Sequence, residues 1–363
     1  MRRWLFVLPL LVGSQAFAQQ AVPTINFESV PNPLKLPTNM YFGEVSGVAV
    51  NSKGHVFALS RGNTSGPAYA AAATQLLEFD KDGKFIREIG KNLYAWSFAH
   101  TVKIDPSDNI WVTDKGSDMV IKFDTEGRVL MVFGRKQEAS DEDTEPLKHP
   151  KPPLPPDDGR FRQVTDVAWD KAGDTFISDG YINSRVGKVD KDGNWLKSWG
   201  EPGNGPGQLN TPHSIATDAN DNVYVADRSN NRIQVFDSDG QYLRSILLNA
   251  PYDKKRHPVL GTPRANPPDA TQPWTICITN TTPQYLYTSD EEPGRIYKLS
   301  LDGKILGMLG ESGHEAGQFN WIHAIACVSE NTLLVADMNN WRIQKVTLHP
   351  EKAKLASASS DQR

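Results

Sequence analysis

The sequence predicts an all-β fold: a six-bladed β-propeller built from four-stranded antiparallel blades. Two observations carry that expectation. A unit of short apolar segments recurs six times, with copies 48 to 65 residues apart, close to the period of a propeller blade. Its copies also share their punctuation. A β-branched strand commonly ends in Asp, and an alternating strand often runs into an Asp-Gly turn.

The clearest copy spans 211–240. It contains Pro212-His213-Ser214-Ile215-Ala216, a strand ending at Ala226-Asp227, a strand opening at Arg232, and the turn Asp239-Gly240. Similar copies begin near Phe98, Gln163 and Trp321, and fainter ones near Val45 and Trp274. The wider gaps hold charged, Pro-rich stretches at about 135–158 and 249–273, which read as inserts between blades. Residues 19–350 therefore form one domain, followed by a polar, flexible tail over 351–363. The last copy has only three clear strands. The segment 23–30 is expected to supply the fourth and close the ring, leaving no open edge.

Arg2 and Arg3, the apolar run 4–12 and Ala16-Phe17-Ala18 have the layout of a signal peptide over 1–18, cleaved near Ala18. The mature chain is then expected to be secreted or periplasmic; the alternative is an uncleaved anchor. No later stretch is long and apolar enough to cross a bilayer. The net charge of −4 and the lack of a basic run argue against a nucleic-acid or membrane-surface partner. Export permits a disulfide between Cys277 and Cys327, which lack the number and spacing of a zinc-thiolate site. A monomer is expected.

Aligned on His213, the six copies place Ser46, His100, Thr165, His213, Trp274 and His323 at one repeat position. The innermost strand of each blade lines the central channel, and alternate blades stand about 120° apart. The second, fourth and sixth copies carry histidine, so three imidazoles converge on the axis. Three neutral imidazoles with an open fourth position are the donor set of a catalytic zinc, although other divalent ions also accept imidazole. The alternative is polar channel lining. His55, His149, His257, His314 and His349 fall in turns or inserts and read as surface residues.

Fourteen residues further along stand Ser60, Asp114, Asp179, Asp227 and Asp337, with Asp290 at sixteen. These aspartates are expected to cap the turn that follows them. The next position varies: Arg61, Lys115, Gly180, Arg228, Glu291, Met338. Arg61 and Arg228 either clamp a carboxylate or stand solvated on the rim. Tyr181 either packs, or overhangs the channel as a base whose pKa nearby cations lower.

Several strings resemble a known family: Val45-Ser46-Gly47-Val48-Ala49 with Ser60-Arg61-Gly62, Gly180-Tyr181 with Asn183-Ser184-Arg185, Pro212-His213-Ser214-Ile215-Ala216, and Val225-Ala226-Asp227-Arg228 with Arg232-Ile233-Gln234. They are similar to NHL-repeat propellers, and among them to the peptidyl-α-hydroxyglycine α-amidating lyases, over about 40–348. The resemblance implies cleavage of a C–N bond to give an amide and glyoxylate. It implies zinc on His100, His213 and His323, Tyr181 as base, and Arg61 and Arg228 as substrate-holding residues. The substrate would be a peptide or small molecule with a terminal carboxylate. The resemblance further implies calcium held partly by the backbone carbonyls of Val48 and Val102. Where the family has Met-Pro-His-Asp, this chain has Trp321-Ile322-His323-Ala324, which removes the calcium-binding carboxylate. The family's paired cysteines are absent. Two other functions fit the same scaffold: a metal-dependent hydrolase such as a lactonase, and a non-catalytic binding module.

Overall fold

The computed structural model describes residues 22–61, 74–136, 157–248, 250, 271–290 and 293–349. The predicted signal segment, most of both inserts and the tail lie outside the described residues.

Six four-stranded antiparallel sheets form the blades; in the first five the earliest strand is innermost, and the sixth takes its outermost strand from the start of the chain. The innermost strands of blades one to six are Val45–Val50, Ala99–Ile104, Asp166–Trp169, Pro212–Thr217, Ile276–Ile278 and Ile322–Ser329. The second strands are almost wholly buried, as in Val223–Asp227, because both of their faces meet a neighbouring blade. The outermost strands, such as Val129–Phe133, alternate with solvent.

The third and fourth strands are joined by the turns the sequence announces. Asp80, Asp124, Asp190 and Asp237 each accept backbone N–H groups two and four residues on. The glycine inside each turn, such as Gly240 with φ 81°, takes the left-handed backbone that other residues resist.

Every gap between neighbouring blades is filled by its own apolar cluster. Leu59, Leu76, Ala99 and Val112 join blades one and two. Trp111, Phe161 and Ile177 join two and three, and Phe176, Ile215 and Phe236 join three and four. Tyr224, Ile276 and Tyr297 join four and five, and Tyr287, Phe319 and Val335 join five and six. Val45, Phe79 and Ala336 return the ring from six to one.

The expected closure is present. Phe27–Pro31 is the outer strand of blade six and pairs antiparallel with Arg342–Leu348, Phe27 opposite Leu348 and Pro31 opposite Gln344. Just before it, the Ile25 N–H donates to the Met308 carbonyl at 2.8 Å, and the Ile25 side chain is buried in the cluster between blades five and six. A disulfide joins Cys277 of blade five to Cys327 of blade six. No described helix is long and apolar enough to cross a membrane. Ile25→Ala is expected to cost about 2–4 kcal/mol, because it opens a cavity in the closing interface. Urea unfolding followed by tryptophan fluorescence checks this.

Candidate metal centre

The aligned column becomes a site through irregular strand pairing. In blade two, Ala99 faces Asp114 and Thr101 faces Thr113, so His100 is an extra residue without a partner opposite. The same slip leaves Ser46 extra in blade one and His323 extra in blade six, and it spans His213 and Ser214 in blade four. A β-bulge of this kind releases a residue from the ladder and re-aims its side chain.

The three histidines are buried, at 1%, 2% and 5% exposure, and one ring nitrogen from each lies within 4.8 Å of the others. Each Nδ1 donates to a carbonyl at the same repeat position in the following blade. His100 reaches Thr165 O at 2.7 Å, His213 reaches Trp274 O at 2.8 Å, and His323 reaches Ser46 O at 2.7 Å. A proton on Nδ1 leaves the Nε2 lone pair open, and such second-shell bonds set the orientation of metal-ligating imidazoles. Burial is the largest cause holding all three below the usual histidine range. The next is repulsion from His323 for His100, from His100 for His213, and from Arg61 for His323. The His213 Nε2 is buried with no hydrogen-bond partner among the described residues. Neutral, pre-oriented nitrogens with an orphaned buried acceptor fit a divalent cation that takes imidazole.

Tyr181 stands beside this ring. Its Oη lies 3.4 Å from His100 Nε2 and 3.5 Å from Arg228 Nη1. Lys115 Nζ sits 3.9 Å from the Tyr181 ring centroid. Burial raises the phenol pKa, but Lys115, Arg228 and Arg61 outweigh it, and the net position is below the ordinary tyrosine value. Arg61 is buried, with Nε 3.1 Å from Glu44 Oε2 and its guanidinium carbon 4.2 Å from the Phe98 ring centroid. The Arg228 guanidinium lies 4.3 Å from the Trp274 ring centroid. The structure thus brings all the predicted side chains together. Lys115, to which the sequence assigns no role, joins them; it shares the variable repeat position with Arg61 and Arg228, and that is its signal in the sequence. Glu44 and Phe98 left no such signal.

Buried aspartates hold the loops that carry these groups. Asp227 accepts the Asn210 N–H, Asn230 Nδ2, Arg232 Nε and Gln234 Nε2. Arg232 in turn donates to the carbonyls of Asn204, Gly205 and Gln208. Asp337, Asn340, Arg342 and Gln344 repeat the arrangement in blade six. In blade three, Asp179 accepts from the Arg162 N–H, Asn183 and Arg185, and burial pushes its pKa up to about 6. The expected turn-capping describes Asp114, which accepts from Gly116 and Ser117 N–H, but it also accepts from Ser97 and Phe98 N–H. In blades three, four and six the carboxylate takes one N–H from the loop before the innermost strand and its other bonds from side chains after the second strand, and Asp290 of blade five accepts from Arg295 and Tyr297. Gly180 is required beside Tyr181, since a Cβ there would collide with the Pro212 carbonyl next to His213.

The channel beyond the histidines offers calcium a poor donor set. Ala324 has no side-chain ligand atom. Asp166, a carboxylate at the same repeat position, is already bonded by Lys103 Nζ at 3.3 Å, Ser214 Oγ at 2.7 Å and the Ile215 N–H at 3.1 Å. Lys103 lines a channel cavity of about 240 Å³ together with Val48. Lys103 thus brings a positive charge to the same cavity that Val48 lines, and its Nζ is paired with Asp166.

The NHL repeat profile matches residues 209–236. The chain is 27% identical to a peptidylglycine α-amidating monooxygenase of Rattus norvegicus, covering 84% of this chain and 30% of the relative. It is 33% identical to a probable peptidyl-α-hydroxyglycine α-amidating lyase of Caenorhabditis elegans, covering 53% of this chain and 55% of the relative. The chain thus spans about half or less of the length of these relatives. A solved gluconolactonase from Xanthomonas campestris shares the fold at a TM-score of 0.55 and 12% identity, covering 91% of this chain and 98% of that one. The chain is thus a six-bladed propeller with one NHL-repeat match, similar at modest identity to proteins named as amidating lyases.

Asp227→Ala is expected to cost about 3 kcal/mol or more, because it strands Arg232 and several other donors; chemical denaturation measures it. Millimolar calcium is expected to leave the thermal midpoint unchanged, whereas Lys103→Met lowers it; differential scanning calorimetry reads both.

Proposed function

We propose that the chain is a carbon–nitrogen lyase acting on peptidyl-α-hydroxyglycine-type substrates, with one zinc ion held by His100, His213 and His323. The supporting observation is the convergence of three buried imidazoles with the Tyr181 hydroxyl, 3.4 Å from His100 and 3.5 Å from Arg228. Relatives named as amidating lyases point the same way.

A bound zinc supplies Lewis acidity toward a substrate oxygen. The protein groups account for the rest. Arg228 offers guanidinium donors to the substrate carboxylate beside Tyr181. Arg61, fixed by Glu44 and Phe98, adds positive charge to the site and favours the anionic phenolate. Tyr181 takes the proton of the substrate hydroxyl. The O–H electron pair forms the carbonyl of glyoxylate, the C–N bond breaks, and its pair goes to the nitrogen. The proton passes to that nitrogen, giving the neutral amide. A lactonase reading has less support, because hard-cation hydrolases favour oxygen donors and this ring is entirely nitrogen.

Purified protein is expected to carry about one equivalent of zinc by elemental analysis and to release glyoxylate from α-hydroxyhippurate. His213→Ala should lose the metal and the activity. Tyr181→Phe should keep the metal and lose about 10²–10⁴-fold in rate. Metal-free wild-type protein, or Tyr181→Phe with undiminished turnover, rejects the reading.

A further inference from the structure

The mouth around the histidines has two unlike walls. On the side of blades two and three, Lys115 Nζ lies over the Tyr181 ring, 3.9 Å from its centroid. On the side of blades five and six stand Trp274 and Trp321, edge to face with centroids 5.4 Å apart. The Trp274 ring lies 4.5 Å from the His213 ring, and the Trp321 ring lies 6.4 Å from that of His323. Arg228, from blade four, bridges the walls: its guanidinium covers Trp274 and its Nη1 faces the Tyr181 hydroxyl.

The aromatic wall is built with care. Trp321 takes φ 71°, a left-handed backbone that a bulky residue adopts only where its surroundings impose it. Its carbonyl is fixed by the Met338 N–H at 3.0 Å. Trp274 is 2% exposed, and its indole Nε1 has no hydrogen-bond partner among the described residues. A cation pair facing an indole pair matches one chemistry: an anion at one end of a ligand and a flat apolar group at the other.

We propose that the site selects amphipathic carboxylates, with the carboxylate between Lys115 and Arg228 and an aromatic acyl group against Trp321, which the buried Trp274 backs. Resting on the lyase reading above, this names the substrate class as α-hydroxyglycines whose nitrogen carries an aromatic acyl group or an aromatic residue. Lys115 and Trp321 then determine specificity, one for the charge and one for the ring.

The test uses ligands that cannot react. Isothermal titration of the mature chain with hippurate and with N-acetylglycine is expected to show hippurate at least about tenfold tighter. Trp321→Asn removes the indole and suits a left-handed backbone; it should abolish the preference. Lys115→Met should weaken both ligands by a similar factor and leave their ratio intact. Equal affinities in the wild-type chain, or a preference that survives Trp321→Asn, overturn the proposal. Glyoxylate release is followed separately. Hippurate preference without glyoxylate keeps this selectivity and rejects the reaction. Equal turnover of benzoyl and acetyl α-hydroxyglycines keeps the reaction and rejects the selectivity.

Discussion

Each strong blade of this propeller is tied by a carboxylate that water does not reach. Asp114, Asp179, Asp227 and Asp337 are all fully buried, and burial raises the pKa of each. A lone buried carboxylate is costly, so each one is tolerable only with its donors in place. Those donors are backbone N–H groups of the loop before the innermost strand and, in three blades, an arginine that also gathers that loop's carbonyls. The knot therefore fixes the entry to the innermost strand and the exit from the second strand at once. The channel-mouth residues lie immediately beside these two points, so their positions follow from the knot.

The histidine ring adds a second layer of coupling. Each imidazole is oriented by a carbonyl of the following blade, not by its own: Thr165, Trp274 and Ser46. The bond from His323 to Ser46 crosses the seam where the last blade meets the first. The ring of imidazoles is thereby fully oriented only when blades one and six are docked. The aspartates hold the parts of a blade, and the histidines read the spacing between blades.

Repetition made much of this legible. Six copies gave the blade count, and the histidine column gave the axis, because a repeat position maps to one height around a ring. The outer strand at Phe27–Pro31 was legible because a three-stranded last blade leaves an edge. Other features were hidden for physical reasons. The bulges at Ser46, His100 and His323 are pairing slips, and a pairing slip has no residue signature of its own. The Lys103–Asp166 pair joins the innermost strands of neighbouring blades two and three and follows no repeat spacing. The Asn183-Ser184-Arg185 string looked like a family marker. In the fold Asn183 and Arg185 hold Asp179 and with it the loop that presents Tyr181.

The seam between Phe27–Pro31 and Arg342–Leu348 bears on the life of the chain before it is folded. A polypeptide emerges from the ribosome amino end first. The strand at Phe27 must wait, unpaired, while more than three hundred residues are made, because its partner begins only at Arg342. Blades one to five can form sheets as they appear, but the ring cannot close before its last strand has been made. Closure is a long-range event with a high loop entropy, which makes it a candidate for the slowest step. Until then the molecule is an open arc with a bare sheet edge at one end.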